Sequence, residues 1–170
     1  MVYDSARQVT LLFGGIIAGG FKGDTWQWDG QDWTQLSDLG PSARFGHAMA
    51  FDSIRNWTVL FGGSINEDFA TGHATGSQQD TWDGKEWVQL AEFGPSGRDN
   101  TAMTWTNHGV ILFGGYNSQY ALTGDTWKFD GKHWTQLQDI GPSARSGDAM
   151  AFDSARNCIV LFGGKFGECY

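Results

Sequence analysis

Four short apolar runs, each closed by a pair of glycines, set the rhythm of the chain: VTLLF at 9–13, TVLF at 58–61, VILF at 110–113 and IVLF at 159–162. Runs this short, rich in β-branched residues and bounded by Gly, predict strands buried on both faces and do not reach helical length. Ahead of three of them lies another predicted strand, at 46–51, 101–105 and 148–152; the chain enters the equivalent strand of the first unit at Met1-Val2-Tyr3-Asp4-Ser5. Downstream, Trp26 and Trp28, or Trp127 and Phe129, alternate at period two, which puts both rings on one face of a strand. A last strand is predicted over Trp-(Thr/Val)-Gln-Leu at 33–36, 87–90 and 134–137. Asp-Gly at 29–30, 83–84 and 130–131 separates the last two strands and supplies the positive φ of a tight hairpin. Asp52-Ser53 and Asp153-Ser154 open the hairpin between the first two.

These elements recur in one order. Phe-Gly-Gly stands at 13–15, 61–63, 113–115 and 162–164, Asp-Thr-Trp at 24–26, 80–82 and 125–127, and Gly-Pro-Ser-x-Arg at 40–44, 94–98 and 141–145. The period is about fifty residues. One repetitive domain is expected, with units near 1–40 (partial), 41–94, 95–141 and 142–170 (partial). A four-stranded antiparallel sheet of this size cannot cover both its faces alone. Packing copies radially, face against face, covers them and predicts a β-propeller.

Phe-Gly-Gly, then Asp-Thr-Trp, then a Trp about nine residues on, resembles the kelch repeat of the galactose oxidase central-domain superfamily. Phe-Asp-Ser-Ala-Arg-Asn at 152–157 and Trp-Asp-Gly at 28–30 resemble its bacterial form, and the resemblance covers the whole chain. It implies an all-β chain of four-stranded antiparallel blades, about 3.5 of them, with each first strand lining a central channel. No single chemistry is implied, since kelch propellers serve as enzymes, sugar binders and protein-docking scaffolds. The copper-radical oxidases of this superfamily need a Tyr–Cys pair and two His. Here Tyr116, Tyr120, His47, His73, His108 and His133 scatter over rims and turns without ligand spacing, so neither metal nor cofactor is expected.

Three and a half blades fall short of the usual four to eight. Two arrangements would resolve this: a homodimer closing one propeller, or a longer natural protein of which this is part. In the homodimer, strand 147–152 of one chain would add to the edge of 9–13 in the other.

Composition fits this reading. Of 170 residues, 40% are hydrophobic, with nine Trp and 12 Phe, enough for a real core; 25 Gly suit turns and oppose helices. The net charge of −8 disfavours nucleic acid and anionic membrane surfaces as partners. No apolar window is long enough to span a bilayer, and residues 1–7 do not read as a basic-then-apolar leader, which leaves a cytoplasmic or a secreted location open. Cys158 and Cys169 are too few for a disulfide framework, and Cys158 is expected to pack as a small hydrophobe.

Polar residues present in every unit read as structural: Arg44, Arg98 and Arg145 with Asp24, Asp80 and Asp125, each satisfying the other or buried backbone. The second unit lacks two residues after Trp82, so Asp80 either keeps its place or stands where other units have their first Trp. Positions that differ between units are the better place for function. At the start of the first strands these are Phe45 and His47, then Asp99, Asn100 and Thr101, then Ser146 and Asp148, all expected at the channel mouth. Between second and third strands run loops at 16–23, 64–79 and 116–124, which carry Asn66, Glu67, Asp68 and Phe69, and Tyr116 and Tyr120. The expected function is non-catalytic binding of a protein or carbohydrate ligand. The alternatives are a small-sugar enzyme resembling the kelch sialate mutarotases, with a channel carboxylate or His as acid or base, and an incomplete propeller without independent function.

Overall fold

The computed structural model describes residues 1–68, 73–84, 86–91, 93–138 and 140–167. The chain is 58% strand, and the described residues contain no helix, as the glycine-bounded apolar runs predict. A first antiparallel meander joins β1 (Val2–Asp4), β2 (Val9–Ile17), β3 (Gly20–Trp28) and β4 (Trp33–Ser37). There follow β5 (Ala48–Asp52), β6 (Trp57–Phe61), a hairpin of β7 (Ser64–Asp68) and β8 (His73–Ser77), then β9 (Thr81–Asp83) and β10 (Val88–Ala91). The second sheet has the order β5-β6-β9-β10, with the hairpin outside it. After β11 (Arg98–Asp99), a third sheet pairs β12 (Ala102–Thr106), β13 (Gly109–Phe113), β15 (Thr126–Phe129) and β16 (Trp134–Gln138), while β14 (Tyr116–Asn117) pairs with β11. β17 (Ser146–Asp153) and β18 (Cys158–Lys165) form a two-stranded sheet.

The three meanders share one register. Phe13, Phe61 and Phe113 stand opposite Thr25, Thr81 and Thr126, and Leu12, Leu60 and Leu112 opposite Trp26, Trp82 and Trp127. That register puts Asp80 in the place of Asp24 and Asp125, not of a Trp. The two missing residues shorten β9 instead. They also change its turn: Gly30 and Gly131 have φ of 105° and 98°, whereas Gly84 packs against Thr58 without positive φ and Trp87 takes the left-handed conformation.

Consecutive sheets pack face against face. Val9, Leu11 and Phe13 of β2 meet Met49, Leu60, Trp82 and Trp87; Ala50 and Val59 meet Val110, Phe129, Trp105 and Trp134. Each such buried side chain contributes about 1.5–3 kcal/mol by leaving water. A polar latch accompanies each apolar joint. Trp87 Nε1 donates to Thr25 Oγ1 and Trp134 Nε1 to Thr81 Oγ1, both at 2.8 Å.

Arginine closes each joint. The Arg44 carbonyl accepts from Gly15 N–H of the first sheet, and the Arg98 and Arg145 carbonyls from Gly63 and Gly115, at 2.8–2.9 Å. The glycine before each lies so close to that carbonyl that a Cβ on Gly62 would stand 2.5 Å from it, and its φ of +70° equally favours Gly. The Arg44 guanidinium then turns into its own sheet: two bonds to Asp80 (2.6 and 2.9 Å), one to the Gly62 carbonyl and two to Ser42. Arg98 repeats this on Asp125, Gly114 and Ser96, and both guanidinium groups are buried. Burial pushes the Asp80 and Asp125 carboxyls upward, but the bonds from Arg and from Trp82 or Trp127 outweigh it and hold both below the usual range.

The outer units break this pattern and correct several expectations. Arg145 makes the same bonds to Ser143 and Gly163, yet it is only half-buried and meets no carboxylate among the described residues. Asp24 accepts from the Trp26 indole and meets no arginine among the described residues. Cys158 lies exposed on β18, which pairs only with β17 among the described residues. β1 pairs along Val9–Leu11, on the edge that strand 147–152 of another chain was expected to join. The loops at 16–23, 64–79 and 116–124 contain hairpins, with Ile16 opposite Phe21, Ser64 opposite Ser77 and Tyr116 bridged to Leu122.

Arg98→Ala leaves the Asp125 carboxylate without its charge partner and should cost about 3–5 kcal/mol in urea unfolding. Arg145→Ala removes no ion pair and should change stability far less. Equal losses in the two variants would show that the Asp partner is not what the buried arginine stabilises.

Candidate functional site

The starts of the first strands form a continuous band. Asn100 N–H donates to the Gly46 carbonyl at 2.7 Å, and Gly147 N–H to the Asn100 carbonyl at 2.9 Å, so the three entries are tied side by side. Each middle residue adopts a left-handed conformation, with φ of 65°, 52° and 67° at Gly46, Asn100 and Gly147. Glycine, and asparagine among side-chain-bearing residues, tolerate this best, which is why these positions read Gly, Asn, Gly. Phe45, Asp99 and Ser146 precede that kink; His47, Thr101 and Asp148 follow it.

The hairpins of the second-to-third-strand connections stand beside the band. Phe45 exchanges backbone hydrogen bonds with Ser64, and Asp99 pairs with Tyr116. Phe45 stacks on Phe21 at 5.2 Å with the rings 13° apart. Asp99, 2% exposed, lies under the base of the β7–β8 hairpin; Ser64 Oγ donates to it at 2.8 Å, Ser77 Oγ at 3.5 Å and Asn100 Nδ2 at 2.8 Å. Among the described residues no cation pairs with it, and burial raises its carboxyl above the usual range, against the pull of those three bonds.

His47 and Asp148 complete the titrating groups of the band. His47 is held neutral, its value lowered to about 3 by burial, then by the N-terminal ammonium and Arg44; its Nδ1 is buried without a partner and its ring meets Phe13 edge-on at 5.5 Å. Asp148 has both carboxylate oxygens buried without a partner, and burial raises it, opposed by its own backbone N–H and by Arg145. Thr101 Oγ1 is likewise unpartnered. Ser146 is buried beside the entry.

Thus the structure joins Phe45, His47, Asp99, Asn100, Thr101, Ser146 and Asp148 in one band, with Tyr116 paired to it. Asn66 and Glu67 stand further along β7, Asn66 exposed, and the backbone of Asp68 ends that strand. Tyr120 sits exposed in the turn after β14, and Phe69 lies outside the described residues. Sequence reasoning missed Phe21, Ser64 and Ser77. Ser64 follows Phe-Gly-Gly directly in the unit with the longest insertion, and that coincidence was the available signal. Chemically, the band offers aromatic faces, hydroxyl and amide groups, and two carboxyls disposed to hold protons. Among the described residues no three His, Cys, Asp or Glu side chains gather closely enough for a metal ion.

A carboxyl raised in the folded state binds protons more tightly there than in the unfolded chain, so its contribution to stability falls as pH rises from the unfolded value, about 3.9, through the folded one. Asp99→Asn removes this loss. Its stability relative to the parent should therefore improve as pH rises above about 3.9 and level off once the folded value is passed, in urea titrations, and a pH-independent difference would place Asp99 in a solvated setting. Comparison of the chain with models of protein families and with curated proteins gives no match, so the function is argued from this geometry.

Proposed function

We propose that the three meanders and the β17–β18 sheet are blades of a kelch-type propeller and that this segment acts as a non-catalytic binding module. The face-to-face stacking, the shared register and the band of adjoining first strands support the propeller reading. The ligand surface is the band with its rim of hairpins, and the observation that carries it is the Phe21–Phe45 stack beside the β7–β8 hairpin. Of the two ligand classes expected, carbohydrate is favoured. An aromatic face beside a few directed polar groups suits a sugar ring, and Asn66 shares a face of β7 with Ser64, the residue paired to Phe45.

The test is a panel of immobilised neutral and acidic oligosaccharides probed with the labelled full chain. Phe45→Ala should weaken the best binder at least tenfold while leaving the unfolding midpoint within a few degrees of the parent. Binding indifferent to Phe45 would move the site elsewhere. An acid–base reading draws on the raised carboxyls of Asp99 and Asp148. It requires that the parent speed the interconversion of sugar anomers, followed by NMR, and that Asp99→Asn abolish the effect.

A further inference from the structure

One carboxyl of the following unit holds the β7–β8 hairpin at its base. Ser64 and Ser77 are the first and last residues of that hairpin and stand opposite each other in register. Both hydroxyls donate to Oδ2 of Asp99, and Asn100 Nδ2 donates to Oδ1. The same base carries the backbone of the ligand surface, since Phe45 and Ser64 exchange hydrogen bonds at 3.0 and 2.8 Å. On the other side Arg98 N–H donates to the Gln78 carbonyl at 3.2 Å, and Gly97 packs against the Ser77 carbonyl. Seated in this way, the hairpin leaves Asp99 2% exposed.

Each of the three donors is neutral. Arg98, beside Asp99 in the chain, spends its guanidinium on Asp125, Thr123, Gly114 and Ser96. His47 of the adjoining entry is neutral, and Tyr116 meets Asp99 through backbone pairing. In the third entry Arg145 bonds to Ser143 and Gly163, and Asp148 is of like charge. Glu67, Asp68 and His73 belong to the far end of the hairpin, three or four positions from Ser64 and Ser77. A hydroxyl donates to a carboxylate and accepts from a carboxylic acid, so the two serines satisfy Asp99 in either form. Only the ionised form leaves a buried charge without a counter-ion, and burial raises the carboxyl accordingly.

We propose that Asp99 couples the seating of the β7–β8 hairpin to pH: the hairpin stays docked on the first-strand entries while the carboxyl carries its proton and loosens as it ionises. Because Ser64 holds Phe45, the ligand surface is complete at acid pH and gives up its ligand as pH rises. This last step rests on the binding role proposed above; the seating of the hairpin does not.

The hairpin is tested without ligand, in the full chain, by following the backbone amides of Phe45, Ser64 and Ser77 by NMR from pH 3.5 to pH 7.5. They should titrate together, with a midpoint above the ordinary carboxylate value of about 3.9, and should stay flat in Asp99→Asn. Ser77→Ala keeps the carboxyl but removes a donor to its ionised form, and should move the midpoint further up. Glutamyl endopeptidase cleavage after Glu67 reads the loosening. The ratio of the parent rate to that of Asp99→Asn cancels the protease's own pH profile and should rise about threefold or more from pH 4 to pH 7. Amides that do not titrate, or titrate equally in Asp99→Asn, overturn the proposal, as does a constant cleavage ratio. An oligosaccharide bound equally well at pH 5 and pH 7.5 overturns the control of binding while upholding the binding role. A titrating hairpin in a chain that binds no sugar upholds the coupling and removes the binding role instead.

Discussion

One arginine per joint ties consecutive sheets together, and at the first two joints, Arg44 and Arg98, it is buried. Its backbone belongs to the preceding sheet, through the carbonyl that accepts from the second glycine of Phe-Gly-Gly. Its side chain belongs to the following sheet, through the aspartate that opens the third strand. A buried guanidinium is tolerable only if its donors are met, and Arg44 meets acceptors with all three of its nitrogens. The rest of the motif follows from this demand. The first glycine must lack a Cβ to let the carbonyl approach, the serine of Gly-Pro-Ser must accept from the guanidinium, and the tryptophan two residues after the aspartate donates its indole to the same carboxylate. Packing energy comes from the apolar faces, but their angle and spacing come from this polar joint.

Because the joint uses only repeated residues, the kinked entries beside it are free to differ. Their backbone is fixed by hydrogen bonds between neighbouring entries, and a left-handed residue in the middle is the single constraint. Phe45, Asp99 and Ser146 therefore share one backbone position with three unrelated side chains. A rigid repeat that frees one column of positions gives a surface whose chemistry can change without loss of the fold.

What the sequence disclosed follows the same division. Strand order, the Asp–Arg pairing of the inner units and the all-β class were legible, since each rests on residues that recur. Asp80 was ambiguous because a two-residue deletion allowed two alignments, and only strand register, Phe61 opposite Thr81, separates them. The β7–β8 hairpin was hidden because residues 64–79 are polar on both sides of the pairing and show no alternation of apolar residues. Arg145 was read by analogy with Arg44 and Arg98, but burial depends on neighbours, and among the described residues no third strand lies over it. The Asp99 cluster could not be read at all, because its donors come from residues 64, 77 and 100, which meet only through the fold.

The two classes of aspartate pull stability in opposite directions. Asp80 and Asp125 are lowered, so their contribution is present above the unfolded value and lost as pH falls through the folded one. Asp99 and Asp148 are raised, and each favours the folded state less once pH climbs past the ordinary carboxylate range. A fold selected only for stability would give each a direct ion pair or replace it by a neutral residue, and Arg145 acts on Asp148 only through its field. Ser64, Ser77 and Asn100 satisfy Asp99 by hydrogen bonds without neutralising it, and Asp148 lacks even those. Two carboxyls of this kind, one before and one after the left-handed residue of neighbouring entries, cost the scaffold stability, and that cost is what the proposed binding surface would account for.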